Sequence, residues 1–111
     1  MKLLLKFLFG CIFVFMVGIT IRTGLSVSLS ATWPSYTANP WAMATLYDSY
    51  FGFVTFYVWV FYKERSLWAR AMWLVLIMGL GNIAISFYVL IQLFQLKPDE
   101  TAAKILQRRA A

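Results

Sequence analysis

Apolar positions fall into three long runs that short polar segments separate, at residues 3–21, 41–62 and 71–96. Lys6 interrupts the first run, Asp48 lies within the second, and the third carries no charge. About 20 mostly apolar residues are enough for a helix to cross a bilayer. Backbone groups in hydrocarbon must bond within their own segment, which favours helices. The pattern predicts an all-α integral membrane protein with three transmembrane helices in a single domain over residues 1–111.

The prolines help to place the ends of these helices. Pro34, Pro40 and Pro98 all lie outside the apolar runs. Asn39 before Pro40 is typical of an N-cap followed by proline at the first helical position. We therefore expect the segments to be helices at about 3–25, 40–62 and 69–96, a loop at 26–39 and a short surface helix at 99–109.

The composition excludes several classes of protein. Hydrophobic residues make up 62% and charged residues 13%, whereas soluble domains have about 45–50% and about 25%. The chain has no histidine, and Cys11 is its only cysteine. A catalytic triad built on imidazole, a disulfide within the chain and a thiolate zinc site are thus excluded. We expect neither a metal nor a cofactor.

The net charge of +6 comes from cations that border the apolar runs, as in proteins that face lipid headgroups. We expect the lipid bilayer of the cell membrane, and no nucleic acid, as a partner. With three spans, the cations divide equally, five on each side. Because early segments usually dominate orientation, the N-terminus and the 63–70 loop are expected to be cytoplasmic, with the C-terminus outside.

The first run has a second interpretation. Lys2 and Lys6 before an apolar stretch, followed by small residues near Ser28, Ser30 and Ala31, are also typical of a cleaved signal peptide. The long apolar core, and Arg22 after it, favour a retained helix. Whether residues 1–31 are cleaved stays open at this point.

Asp48 is the most informative residue, because ionisable side chains within spans are rare and costly. Helical spacing puts it on one face with small and polar residues, namely Ala44, Thr45, Gly52 and Thr55. Gly79, Asn82 and Ser86 form a similar line on the third helix, at the same depth in an antiparallel hairpin. We predict that the Asp48 carboxylate accepts a hydrogen bond from Asn82, from Ser86 or from both, with Arg22 as the candidate charge partner. Glu64, among the loop cations, is expected to be solvated.

Part of the chain resembles an uncharacterised family of small membrane proteins of bacteria and plants, a domain of unknown function. The resemblance covers Asn39 to Leu96. The residues that carry it are Asn39-Pro40-Trp41, Ala44-Thr45-Leu46-Tyr47-Asp48, Tyr50, Gly52-Phe53, Val58-Trp59-Val60, Tyr62-Lys63-Glu64 and Gly79-Leu80-Gly81-Asn82-Ile83. It implies three membrane helices and no particular activity.

Three helices enclose little volume, which favours a homo-oligomer or a larger membrane complex. The first hypothesis is a binding, interaction or assembly subunit with a polar intramembrane core around Asp48. A second is a small oligomeric transporter or carrier in which Asp48 titrates. A third is a membrane enzyme acting on a lipid or isoprenoid, with Asp48 as acid or base. The ligand stays open in all three.

Overall fold

The computed structural model describes residues 2–107, and all regular elements in this range are helical. They are α1 (Lys2–Ser26), α2 (Leu29–Thr37), α3 (Pro40–Lys63), α4 (Leu67–Leu80), α5 (Asn82–Phe94) and a 3₁₀ helix at Ala102–Leu106. The predicted all-α class is confirmed for these residues. Of the predicted surface helix at 99–109, the structure contains the 3₁₀ turn, while residues 108 and 109 lie outside the described range.

Side-chain caps explain where the helices begin. The Asn39 carboxamide oxygen accepts hydrogen bonds from the backbone N–H groups of Trp41 (3.0 Å) and Ala42 (3.2 Å), so α3 starts at Pro40 as predicted. The Ser28 hydroxyl likewise accepts from the N–H of Ala31 at 3.2 Å. Because of this cap, most of the segment predicted as a loop at 26–39 is the helix α2, and the loop prediction is wrong there.

The predicted helix over 69–96 is also wrong as a single element, because the chain breaks at Gly81. This residue has φ 59° and ψ −123°, a conformation that residues with a Cβ rarely adopt. The chain then reverses, and the rings of Trp73 and Tyr88 meet with centroids 4.8 Å apart. Two short helices, α4 and α5, therefore form a tight hairpin.

Contacts along the helices fix their directions. The Lys2 ammonium donates to the carbonyl of Lys97 at 3.2 Å, and the rings of Phe13 and Phe87 stack at 5.5 Å, so α1 runs antiparallel to α5. The Tyr57 hydroxyl donates to the carbonyl of Arg70 at 2.7 Å, as expected for antiparallel α3 and α4. The start of α1, the segment after α5 and the α3–α4 corner consequently meet at one end of the bundle.

The buried core is small and lies between α3, α4 and α5. Its main cluster consists of Val60, Trp73, Ile77, Ala84 and Tyr88, and Val89 and Leu93 of α5 are buried as well. None of the residues of α1 or α2 is buried. Helix α1 nevertheless packs along α5, as the Phe13–Phe87 stack shows, so it lies on the outside of the bundle.

Within residues 2–107, α1 is the one helix that is long and apolar enough to cross a membrane, and a signal sequence near the N-terminus would satisfy the same criterion. Helix α3 is long enough at 24 residues, but Asp48 and its tyrosines lower its mean hydropathy. Helices α4 and α5 are shorter, at 14 and 13 residues. The structure thus supports one candidate span where the sequence predicts three.

Candidate functional site

The predicted face around Asp48 is present as an outer surface of α3. Ala44, Thr45, Asp48, Gly52 and Thr55 are all exposed. The two threonine hydroxyls donate to carbonyls one turn earlier in the same helix, each at 2.9 Å. The carboxylate of Asp48 is consequently the one strongly polar group that this face offers outward.

The predicted hydrogen bond between Asp48 and Asn82 or Ser86 is not formed. The Ser86 hydroxyl is buried and donates to the Asn82 carbonyl at 2.7 Å. After the turn at Gly81, α5 runs back toward the α3–α4 corner, so it carries Ser86 away from the level of Asp48. Asn82 is exposed, and the Asp48 side chain has neither a hydrogen bond nor an ion pair with the rest of residues 2–107.

Arg22 is exposed on α1 and forms no ion pair with Asp48 in this chain. The two residues nevertheless lie at similar heights in the bundle. Phe13 meets Phe87, and Phe56 and Trp59 meet the neighbouring Tyr88, which puts these rings at one level. At about 1.5 Å per residue, Arg22 is about 14 Å beyond that level and Asp48 about 12–17 Å beyond it, in the same direction.

The residues of the family-like motif have two different placements. Asn39 and Pro40 start α3, and the Tyr50 hydroxyl donates to the carbonyl of Met78 at 3.1 Å, which ties α3 to α4. Trp41 is 83% exposed, and a side chain at Gly52 would meet nothing within 4 Å. The first three therefore start α3 and fix it against α4, whereas Trp41 and Gly52 belong to the outward face.

Glu64 corrects another expectation, because it is buried rather than solvated. It is 6% exposed, and its Oε2 accepts a hydrogen bond from the hydroxyl of the fully buried Tyr88 at 2.6 Å. A short bond between a hydroxyl and a carboxylate is stronger than one between neutral groups. The pair therefore links the α3–α4 corner to the middle of α5.

Aromatic rings and cations surround this pair. The rings of Trp73, Trp59 and Phe56 contact Tyr88 edge-on, with centroids 4.8, 5.6 and 6.1 Å away. The Arg70 guanidinium donates to the carbonyl of Glu64 at 2.9 Å, and so closes the C-terminal end of α3. Sequence reasoning missed this cluster, although the string Tyr62-Lys63-Glu64 within the resemblance was a signal for it.

The polar contacts of this arrangement hold helices together. In the described part of the chain, no group of three or more His, Cys, Asp and Glu side chains could hold a metal ion. Each hydrogen bond described above for Glu64, Tyr88 and Arg70 joins two helical segments or closes a helix end. Asp48 on α3 and Arg22 on α1 are both exposed and form no ion pair within residues 2–107.

The model of a family described as a protein of unknown function (DUF1475) matches residues 2–109. The chain belongs to this family. The DUF1475 match includes α1 and α2, so it extends beyond the region at 39–96 that carries the resemblance in the sequence. No curated protein and no solved structure matches the chain.

Proposed function

We propose that this DUF1475 protein is a small multi-pass membrane protein that assembles with further copies of itself, through Asp48 of one copy and Arg22 of the next. The observation that carries the proposal is the equal height and opposite charge of two exposed side chains that do not pair within one chain. A binding or assembly role follows from this placement, and the lipid bilayer is the medium in which assembly takes place.

The large exposed apolar surface supports the membrane location. Large hydrophobic side chains are exposed on every α-helix, for example Leu3, Phe15, Phe51, Val75 and Phe94 at 67–81% of their surface. Soluble monomers rarely expose apolar patches larger than a few hundred Å². In a bilayer the same side chains meet lipid tails and need no further cover.

The charge of Asp48 supports assembly. Placing an aspartate near the centre of a membrane helix costs about 2.5–3.5 kcal/mol, and such residues face other protein groups or water. Apart from Asp48, the acidic residues of the described chain lie at 64 and 99–100, and apart from Arg22 the cations lie at 2–6, 63–70 and 97–104. A second copy would bring together the two isolated charges.

A two-fold arrangement makes the contact reciprocal. In an isologous dimer, when residue i contacts residue j of the partner, j also contacts i. One two-fold axis would therefore form two Asp48–Arg22 pairs. The small side chains beside Asp48 on α3 would allow the partner helix to approach closely.

A charge exchange tests this contact. We expect Asp48→Arg and Arg22→Asp each to raise the dissociation constant of the oligomer at least about tenfold, which is about 1.4 kcal/mol, because like charges then face each other. The double variant restores both pairs with inverted polarity and should assemble like the wild type. Native mass spectrometry from mild detergent, over a series of protein concentrations, measures the oligomer fraction.

Thr55→Ala, on the same helix face but without a charge, is the matched control and should leave the oligomer intact. The same spectra give the intact mass, and loss of residues 1–31 would remove Arg22 and contradict the proposal. A wild type that is monomeric at all concentrations, or a double variant no better than the single ones, would also contradict it.

A further inference from the structure

Cations gather at one end of the bundle. Of the eight Lys and Arg residues within positions 2–107, seven lie at the end where both chain ends and the α3–α4 corner meet, namely Lys2, Lys6, Lys63, Arg65, Arg70, Lys97 and Lys104. We call this set the cationic end. The remaining one, Arg22, lies toward the opposite end of α1.

Hydrogen bonds hold the parts of the cationic end together. The Lys2 ammonium donates to the carbonyls of Lys97 and Pro98, each at 3.2 Å. The Lys63 ammonium donates to the carbonyl of Gln107 at 2.9 Å. The segment after α5 is thus fixed beside the start of α1 and the α3–α4 corner, not at the far end of the bundle.

The lengths of α4 and α5 fit this geometry. At about 1.5 Å per residue, their 14 and 13 residues extend about 21 and 20 Å, which is short of the hydrocarbon thickness of about 30 Å. Apolar helices of such length are typical of buried or re-entrant segments. Because Gly81 reverses the chain, α5 returns to the level at which α4 began.

We infer that the α4–α5 hairpin is re-entrant, and that the cationic end lies against the anionic phospholipid headgroups of the cytoplasmic leaflet. The inference rests on the membrane location in the proposed function. It puts both chain ends on one side, whereas three full spans would separate them. Seven of the eight cations within positions 2–107 then lie on one side of the membrane. The positive-inside rule predicts that this side is cytoplasmic.

Exposed side chains at this end suit a headgroup region. Trp68 and Leu67 begin α4 and are 86% and 77% exposed, next to the exposed Arg65. Tryptophan is enriched at this depth in membrane proteins, and each basic residue near an anionic surface adds attraction that salt screens. Anionic phospholipid is therefore the partner that matches both the charge and the apolar edge.

Single-cysteine labelling tests the topology in the full-length chain. Cys11→Ser removes the native thiol, and Ala103→Cys or Ser35→Cys then places one thiol after α5 or on α2. We expect an impermeant maleimide to label Ala103→Cys only in inside-out membrane vesicles and Ser35→Cys only in right-side-out vesicles. Labelling of both in the same vesicle type would overturn the re-entrant hairpin and restore three spans.

Failure of the membrane location has a different signature. In that case both thiols react in the same vesicle type, and alkaline carbonate releases the protein from the membrane. If the protein resists carbonate extraction and both thiols lie on one side, the membrane location stands and only the re-entrant hairpin is contradicted.

Lipid dependence tests the headgroup partner. In nanodiscs, we expect phosphatidylglycerol added to phosphatidylcholine to raise the midpoint of thermal unfolding. The triple variant Arg65→Gln, Lys97→Gln, Lys104→Gln should lose that rise. Ser35→Ala, on α2 at the opposite end and outside both proposed contacts, should keep it. An equal midpoint for the wild type in both lipids would overturn the anionic-lipid contact.

Discussion

Gly81→Ala is expected to lower the free energy of unfolding by about 2–6 kcal/mol, the sum of about 1–3 kcal/mol of backbone strain and about 1–3 kcal/mol of overpacking. Gly81 has φ 59°, which side chains disfavour, and a Cβ built there would lie 2.7 Å from the ring of Phe53. Both effects act at the residue that reverses the chain. Titration of detergent-solubilised protein with SDS, followed by far-UV circular dichroism, measures the difference.

Gly79→Ala is the matched control, two residues earlier in the same apolar segment. A Cβ at Gly79 meets nothing within 4 Å, and the residue lies within helix α4. Alanine should therefore stabilise α4 by about 0.5–1 kcal/mol. Equal effects of the two substitutions would show that the break at Gly81 does not need glycine. When Phe53→Ala is already present, Gly81→Ala should lower the free energy of unfolding only by the backbone-strain part, because the ring that the Cβ would meet is gone.

Tyr88→Phe is expected to lower the free energy of unfolding by about 1.5–3 kcal/mol, which is the typical contribution of a hydrogen bond to a charged group. The substitution keeps the ring among Trp59 and Trp73 but removes the hydroxyl that donates to Glu64. A buried carboxylate then loses a donor, which is more costly than the loss of an exposed hydrogen bond. The same SDS titration measures this change.

Tyr50→Phe provides the comparison, because its hydroxyl donates to the neutral carbonyl of Met78 in an exposed position. We expect it to cost less than about 1 kcal/mol. Glu64→Gln keeps an acceptor oxygen for Tyr88 and should cost less than Glu64→Leu, which removes it. A Tyr88→Phe variant as stable as the wild type would mean that the hydrogen bond between Tyr88 and Glu64 does not stabilise the packing of α5 against the α3–α4 corner.

The start of a helix and the residues that share a helix face can be predicted from the sequence, because both depend on residues close together in the chain. The start of α3 at Pro40 follows from the Asn39 side chain, which reaches backbone N–H groups two and three residues later. Helical periodicity likewise puts Thr45, Asp48 and Gly52 on one face, whatever lies around it. The all-α class follows from the apolar runs in the same way.

Where the chain turns between helices was not predictable from those patterns. The run at 71–96 has the composition of one long span, and Gly81 is one of several glycines within apolar runs. Only the folded chain distinguishes it, because Phe53 of another helix occupies the space where a side chain at Gly81 would lie. The depth assigned to Asn82 and Ser86 assumed a straight helix, and so their predicted contact with Asp48 failed.

The sequence by itself determined the helical class, the start of α3 and the set of residues that shares a helix face with Asp48, because each depends on residues within one or two turns. The tertiary structure decided that this face points outward, that Glu64 is buried against Tyr88, 24 residues away, and that the start of α1 and the end of α5 meet at one end of the bundle. Burial and chain reversal depend on which distant surfaces come together, and hydrophobic periodicity along one helix carries no information about its neighbours.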